Sequence, residues 1–265
     1  MKSSISPANV LLCSLAVVLA ASGASLCIAR ARHPARTAQT QSAQSSAAKA
    51  AAAAPRKSAR RFDMLVRDDF FAGMFNGNQA RFDRALKFTE NALAKDPKNG
   101  DAWVWLGSAH VQQSSQAYTV GDSLRGKQLW DRGLKEMDKG VALDPNDVGV
   151  HIGRGAPLLG FASSGYDPTD PEDRAIVKKA VGDFEFTFAK QAPYFNTLGR
   201  HSRGELLFGL ASGWSMLGND AKARDYLARI ARDLPRSPYA TEAQTWLAKK
   251  PLGIVNHNCI GCHTD

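Results

Sequence analysis

The chain of 265 residues is long enough to bury a sizeable core in one or two domains, and its formal charge of +9 would suit a polyanion binder if it were spread evenly. It is not: residues 1–61 hold nine Lys or Arg and no acid, which leaves 25 of the 34 basic residues to balance all 25 acidic ones. A neutral globular part speaks against nucleic acid, and with Cys13 and Cys27 beside an N-terminal apolar stretch and only Cys259 and Cys262 elsewhere, a disulfide framework is excluded.

Residues 1–29 open with Lys2 and continue as the apolar run LLCSLAVVLAASGASLCIA over 11–29. Ser22-Gly23-Ala24 supplies the small residues a signal peptidase reads, so a secretory signal is expected. An uncleaved membrane anchor is the alternative, since the run at about 1.5 Å per residue just spans a hydrocarbon core. Leu26 before Cys27 does not suit a lipoprotein site. Residues 30–61 are Ala, Gln, Ser and Arg with little to pack, and read as a basic linker that could also lie on anionic lipid.

From about residue 62 the pattern turns helical and repeats. ALAKDPKN at 92–99, VALDPND at 141–147 and ARDLPRS at 231–237 each end an apolar helical run at a proline that cannot continue it. Small residues recur at the same offsets before those prolines: Ala85 and Ala92 before Pro97, Gly133 and Gly140 before Pro145, Ala223 before Pro235. Small side chains there let two helices approach closely. Trp103, Leu106, Gly107 and His110 follow Pro97 in a W-x-x-L-G-x-x-aromatic pattern, and Leu207, Leu210, Ala211 and Trp214 reproduce it.

In these residues the chain resembles tetratricopeptide repeat (TPR) proteins, most closely over 204–235, a span matching one unit of about 34 residues. The resemblance implies an all-α solenoid of helical hairpins over 62–250, about three to four repeats plus a capping helix. Insertions fall near 112–132 and 161–173. The first unit is carried by Phe70, Phe71 and Gly73, the third by Gly155 and Pro193. Asp170-Pro171-Glu172 and Ser237-Pro238 read as helix starts, and the last helix is expected to run through Trp246 and Leu247 to Lys249-Lys250. The five tryptophans recur at helical spacing and are expected in the core. TPR proteins hold a peptide or a partner helix in the groove of the stack, so a protein partner is implied.

Residues 251–265 form a tail ending in Cys259-Ile260-Gly261-Cys262-His263. C-x-x-C-H is the spacing of c-type haem attachment, two thiols forming thioethers and the adjacent imidazole binding iron. Cys259 and Cys262 are thus expected to anchor one covalent haem c, with His263 as proximal ligand. Export fits, because c-type haem is attached outside the bacterial cytoplasm. His257 extends the stretch to H-x-C-x-x-C-H, and a zinc site or a dithiol couple are the competing readings. With only Thr264 and Asp265 beyond the motif, its position resembles the four-helix cytochrome c′ type, and a sixth ligand must come from upstream. Met64, Met74, Met137, Met216, His110, His151 and His201 are candidates. Met216 is favoured, and His257 is expected to support the site rather than bind its distal face.

No Ser–His–Asp set, phosphate loop or carboxylate pair stands out. The expected protein is a periplasmic or membrane-anchored electron carrier with a protein docking partner and a redox partner, not an enzyme. The alternatives are an envelope scaffold or cytochrome-maturation factor whose motif holds haem transiently, holds a metal or is idle, and a haem sensor or peroxidase-like protein.

Overall fold

The structure is a computed structural model that describes residues 61–257. The N-terminal apolar run, most of the linker, and Cys259, Cys262 and His263 lie outside the described residues. Among the described residues every regular element is a helix, and none is long and apolar enough to cross a membrane.

The helices pair in sequence. α1 (Asp63–Asn76) packs on α2 (Gln79–Lys95), α3 (Gly100–Thr119) on α4 (Ser123–Leu143), α5 (Val148–Ala162) on α6 (Pro171–Gln191), and α7 (Arg200–Met216) on α8 (Asp220–Asp233). The second helix of each hairpin touches the first of the next, and α1, α3, α5 and α7 touch in series. A 3₁₀ segment, Ala192–Thr197, links the last two hairpins, and α9 (Pro238–Leu247) packs on α8. Four hairpins and one closing helix therefore make up the described chain.

Local chemistry sets these boundaries. Asn78, Asn99, Asp122, Asp147, Asp170, Asn219 and Ser237 each accept a backbone N–H at the start of the helix that follows. Gly77, Gly121 and Gly218 take positive φ between the two helices of their hairpins. The small residues act at the helix crossings: a methyl group on Gly133 would sit 2.7 Å from the Gly107 carbonyl oxygen, so α3 and α4 meet backbone to backbone there.

Two expectations need correction. The last helix ends at Leu247, short of Lys249-Lys250, because Arg224 draws the carbonyls of Leu247 (3.0 Å) and Lys249 (2.6 Å) onto α8. The tryptophans are half-buried instead of core. Lys139, Lys222 and Lys249 place their ammonium groups over the faces of Trp103, Trp214 and Trp246, at 3.6, 3.7 and 3.3 Å from the ring centroids. The apolar rings close the hairpins while one face meets a cation at the surface.

The third hairpin, whose sequence carries little of the repeat pattern, is held by charge. Asp183, 2% exposed, accepts from Arg154 Nε and Nη2, both at 2.8 Å, and pairs with His151 Nδ1 at 2.6 Å. Arg154 also reaches Asp138, which accepts from Lys179, so one network ties α4, α5 and α6 together. A second buried pair, His110 with Glu136, joins α3 to α4.

Candidate functional site at the C-terminal end

The residues after α9 do not trail from the body. Leu252 and Val255 are buried in the main core cluster with α7 and α8 side chains. A lone extended segment has unpaired backbone groups, and burying them unmet costs free energy. Two serines of α7 meet that need. Ser215 Oγ accepts the Val255 N–H at 2.8 Å, and Ser212 Oγ donates to the Val255 carbonyl at 2.6 Å.

Two residues further on, His257 stacks on Phe208 of α7 with ring centroids 4.2 Å apart and planes 8° apart. Its Nδ1 meets Glu242 of α9 at 2.9 Å and its Nε2 meets Glu205 of α7 at 3.3 Å. Burial alone would lower the pKa of this imidazole, but Glu205 and then Glu242 outweigh it and hold the pKa above its ordinary value. With a carboxylate at each nitrogen, the protonated ring donates to both.

The carboxylates are themselves placed. Tyr239 at the start of α9 donates its hydroxyl to Glu205 Oε1 at 2.8 Å, and His201 Nδ1 lies 2.7 Å from the same hydroxyl. Glu205 and His201 are one turn apart on α7, so one helix face and the first turns of α9 supply the whole set. Among the described residues no group of three or more His, Cys, Asp or Glu side chains is arranged to hold a metal ion. As it stands the set is a hydrogen-bonded network that fixes the chain immediately before Cys259.

The residues singled out as distal ligands are dispersed. Met216 is 2% exposed within the core, and its carbonyl accepts from Tyr166 at 2.7 Å. It sits about 16 Å along α7 from Glu205, at about 1.5 Å rise per residue. His257 has both ring nitrogens engaged by carboxylates. Met137, His110 and His151 are buried among the helices, and Met64 and Met74 belong to the first hairpin. Sequence reading did not single out Glu205, Tyr239, Ser212 or Ser215, and took Glu242 only as negative charge in the early turns of the last helix. The spacing of His201 and Glu205 on one helix face was a local signal for Glu205.

No protein-family profile, curated protein or solved structure matches this chain.

Proposed function

We propose that this is an exported TPR-type protein that carries one haem covalently at Cys259 and Cys262, with His263 as proximal ligand, and exchanges single electrons with a protein it docks. The observation that carries this reading is the anchoring of residues 252–257. A C-x-x-C-H motif is preceded by a segment stitched to α7 and α9, which would hold an attached group at the end of the stack.

The donor set fits haem c. Two thiols stand at the right spacing with an imidazole beside them, and residues 61–257 contain no cysteine that could pair with either. Bound there, haem would supply one-electron chemistry. The chain's own part is to position it: Val255 is fixed by Ser212 and Ser215, and His257 by Glu205, Glu242 and Phe208. The TPR reading is supported by four successive hairpins and by Leu106, Gly107, Leu207, Leu210 and Ala211 all being buried where the repeat pattern puts them.

The test is the mass of the mature protein made in a host with haem-ligation machinery, together with haem staining after denaturing electrophoresis. A mass gain of one haem that Cys259→Ser plus Cys262→Ser abolishes is the expected result. A mature protein with the mass of its amino acids alone removes the redox reading and leaves a docking scaffold, which the exposed Met64, Phe75 and Ile152 on α1 and α5 would favour.

A further inference from the structure

We propose that the outer side of α1 docks a second copy of this chain, the two first hairpins meeting end to end about a two-fold axis. A stack of hairpins is closed only where its end helices turn a polar side outward. The C-terminal end meets that need, with α9 packed on α8 and with Leu252 and Val255 buried in the core. The N-terminal end does not. α1 packs on α2 and α3, yet Met64, Leu65 and Phe75 on it are exposed, and so is Phe88 of α2. These are four of the nine large apolar side chains left exposed among the described residues, so such surface gathers at one end of the stack.

Helix geometry makes it a surface rather than a scatter. Met64 and Phe75 stand eleven residues apart, which at about 100° per residue returns to the same side of α1. Asp68 shares that side. Val66, Phe70 and Gly73, buried against α2 and α3, occupy the opposite one. Phe88 lies on Phe62, with ring centroids 6.0 Å apart, one turn before Leu65, and so widens the surface toward α2. Met64, Leu65, Phe75 and Phe88 are 48, 46, 58 and 46% exposed. At about 200 Å² for a large side chain they offer about 400 Å² of apolar area. A stable interface takes about 800 Å² from each partner, a little over half of it apolar. The patch is near the size that one side of such an interface needs.

Charge selects the occupant. Asp69 is taken up by Arg81 and Arg84, and Asp63 by Arg61. Arg67 and Asp68 remain at the outer edge. Asp68 has 77% of its side chain exposed, and its hydrogen bond among the described residues is to the adjacent Arg67 at 3.3 Å. An exposed neighbouring pair of this kind contributes little. A two-fold axis crossing α1 near its middle sets the two copies of the helix antiparallel and lets each Arg67 reach the other copy's Asp68. The surface then complements itself. An anionic membrane suits it poorly, since α1 carries three acids against one base.

The test is sedimentation equilibrium of the full chain over a range of concentrations. A monomer–dimer equilibrium is expected. Phe75→Asp should raise its dissociation constant about thirtyfold or more, while the far-ultraviolet circular dichroism stays that of the helical chain. Met64→Lys, at a separate exposed position, should act likewise and serves if Phe75→Asp does not accumulate. Charge gives the sharper readout. Arg67→Asp and Asp68→Arg should each associate more weakly than the unmodified chain. Mixed together they should pair, because each supplies the charge that the other lacks. A chain that stays monomeric overturns the proposal. So does a dimer indifferent to Phe75→Asp and Met64→Lys, or a mixture of the two charge variants that associates no better than its components.

Discussion

The imidazole of His257 lies face to face on the ring of Phe208, with centroids 4.2 Å apart and planes 8° apart. Phe208 is fully buried, so the last described residue of the chain is part of the wall of the helical body. Two carboxylates from different helices, Glu205 and Glu242, then hold the ring against sliding. Replacing His257 with Ala removes the stack and both charged hydrogen bonds at once. Hydrogen bonds to charged groups contribute about 1.5–3 kcal/mol each, and these carboxylates are partly solvated, so a local loss of about 2 kcal/mol is expected. The readout is hydrogen exchange of the Val255 amide, which donates to Ser215 Oγ. Its protection should fall by roughly an order of magnitude or more, while amides of α3 and α4 keep theirs. Unchanged protection at Val255 would mean that the two serines hold the tail unaided.

The same contact makes the tail sensitive to pH, with a definite sign. Burial opposes the charge on His257, Glu205 and Glu242 favour it, and the pKa is raised in the folded protein. A group that binds its proton more tightly when folded stabilises fully below its unfolded pKa of about 6.5, and that contribution is lost as pH rises through the folded value. The tail should therefore be firmest in mild acid and loosen toward alkaline pH. Proton NMR of the His257 ring should give a midpoint above about 6.5. In Glu242→Gln that midpoint should fall, and a midpoint below the ordinary histidine value in the unmodified protein would contradict the clamp.

Much of the helical body is written locally, and the site is not. Pro97, Pro145 and Pro235 mark the ends of second helices because a proline removes a helix hydrogen bond wherever it stands. Gly133 and Gly140 disclose a close crossing because their spacing on one helix face is set by geometry alone. The third hairpin shows in the sequence only through Gly155 and Pro193, because His151 and Asp183, which pair across it, stand thirty-two positions apart and carry no repeat signature. Glu205 and His257, fifty-two positions apart, are likewise neighbours only after α7, α8 and α9 have packed. Trp103, Trp214 and Trp246 were misplaced for a related reason: their spacing fixes a helix face, but the lysines over their outer surfaces come from the partner helix or from the turn after α9.

Asp183 offers a direct test of how the third hairpin is held. Its carboxylate is 2% exposed and is the shared acceptor for Arg154 and His151. Breaking a buried pair by removing one partner strands the other charge, at a cost of about 3–5 kcal/mol. Asp183→Ala should lower the free energy of unfolding by that amount, read from the shift of the urea midpoint at unchanged slope. Asp138→Ala, whose carboxylate is half-solvated, should cost much less. Equal effects would show that the network has no centre.

Two glycines on different helices predict opposite signs for one chemical change. Glycine within a helix is about 1 kcal/mol less favourable than alanine, so Gly→Ala stabilises wherever a methyl group has room. At Gly182 in α6 a Cβ would meet nothing within 4 Å, and Gly182→Ala should stabilise by about 0.5–1 kcal/mol. At Gly133 the Cβ would stand 2.7 Å from the Gly107 carbonyl and 2.9 Å from Val111 Cγ2. Backbone cannot swing aside as a side chain can, and overpacking of this kind costs about 1–3 kcal/mol, more than the propensity gain. Thermal unfolding of the two variants side by side checks both signs.

Asp101, in the first turn of α3, is a carboxylate the fold would rather keep protonated. Burial first, then the nearby Asp147 and Asp63, raise its pKa to about 6, with Arg61 opposing them. An acid whose pKa is higher folded than unfolded makes the protein lose stability as pH climbs from about 4 toward that value, because the unfolded chain gives up its proton first. The full shift corresponds to about 3 kcal/mol, but the residue is partly exposed and its charge also favours the helix N-terminus. Asp101→Asn is therefore expected to stabilise by about 1 kcal/mol at pH 7 and to change little at pH 4. Urea unfolding at the two pH values decides it: a gain at pH 4 equal to that at pH 7 would trace the effect to something other than the charge.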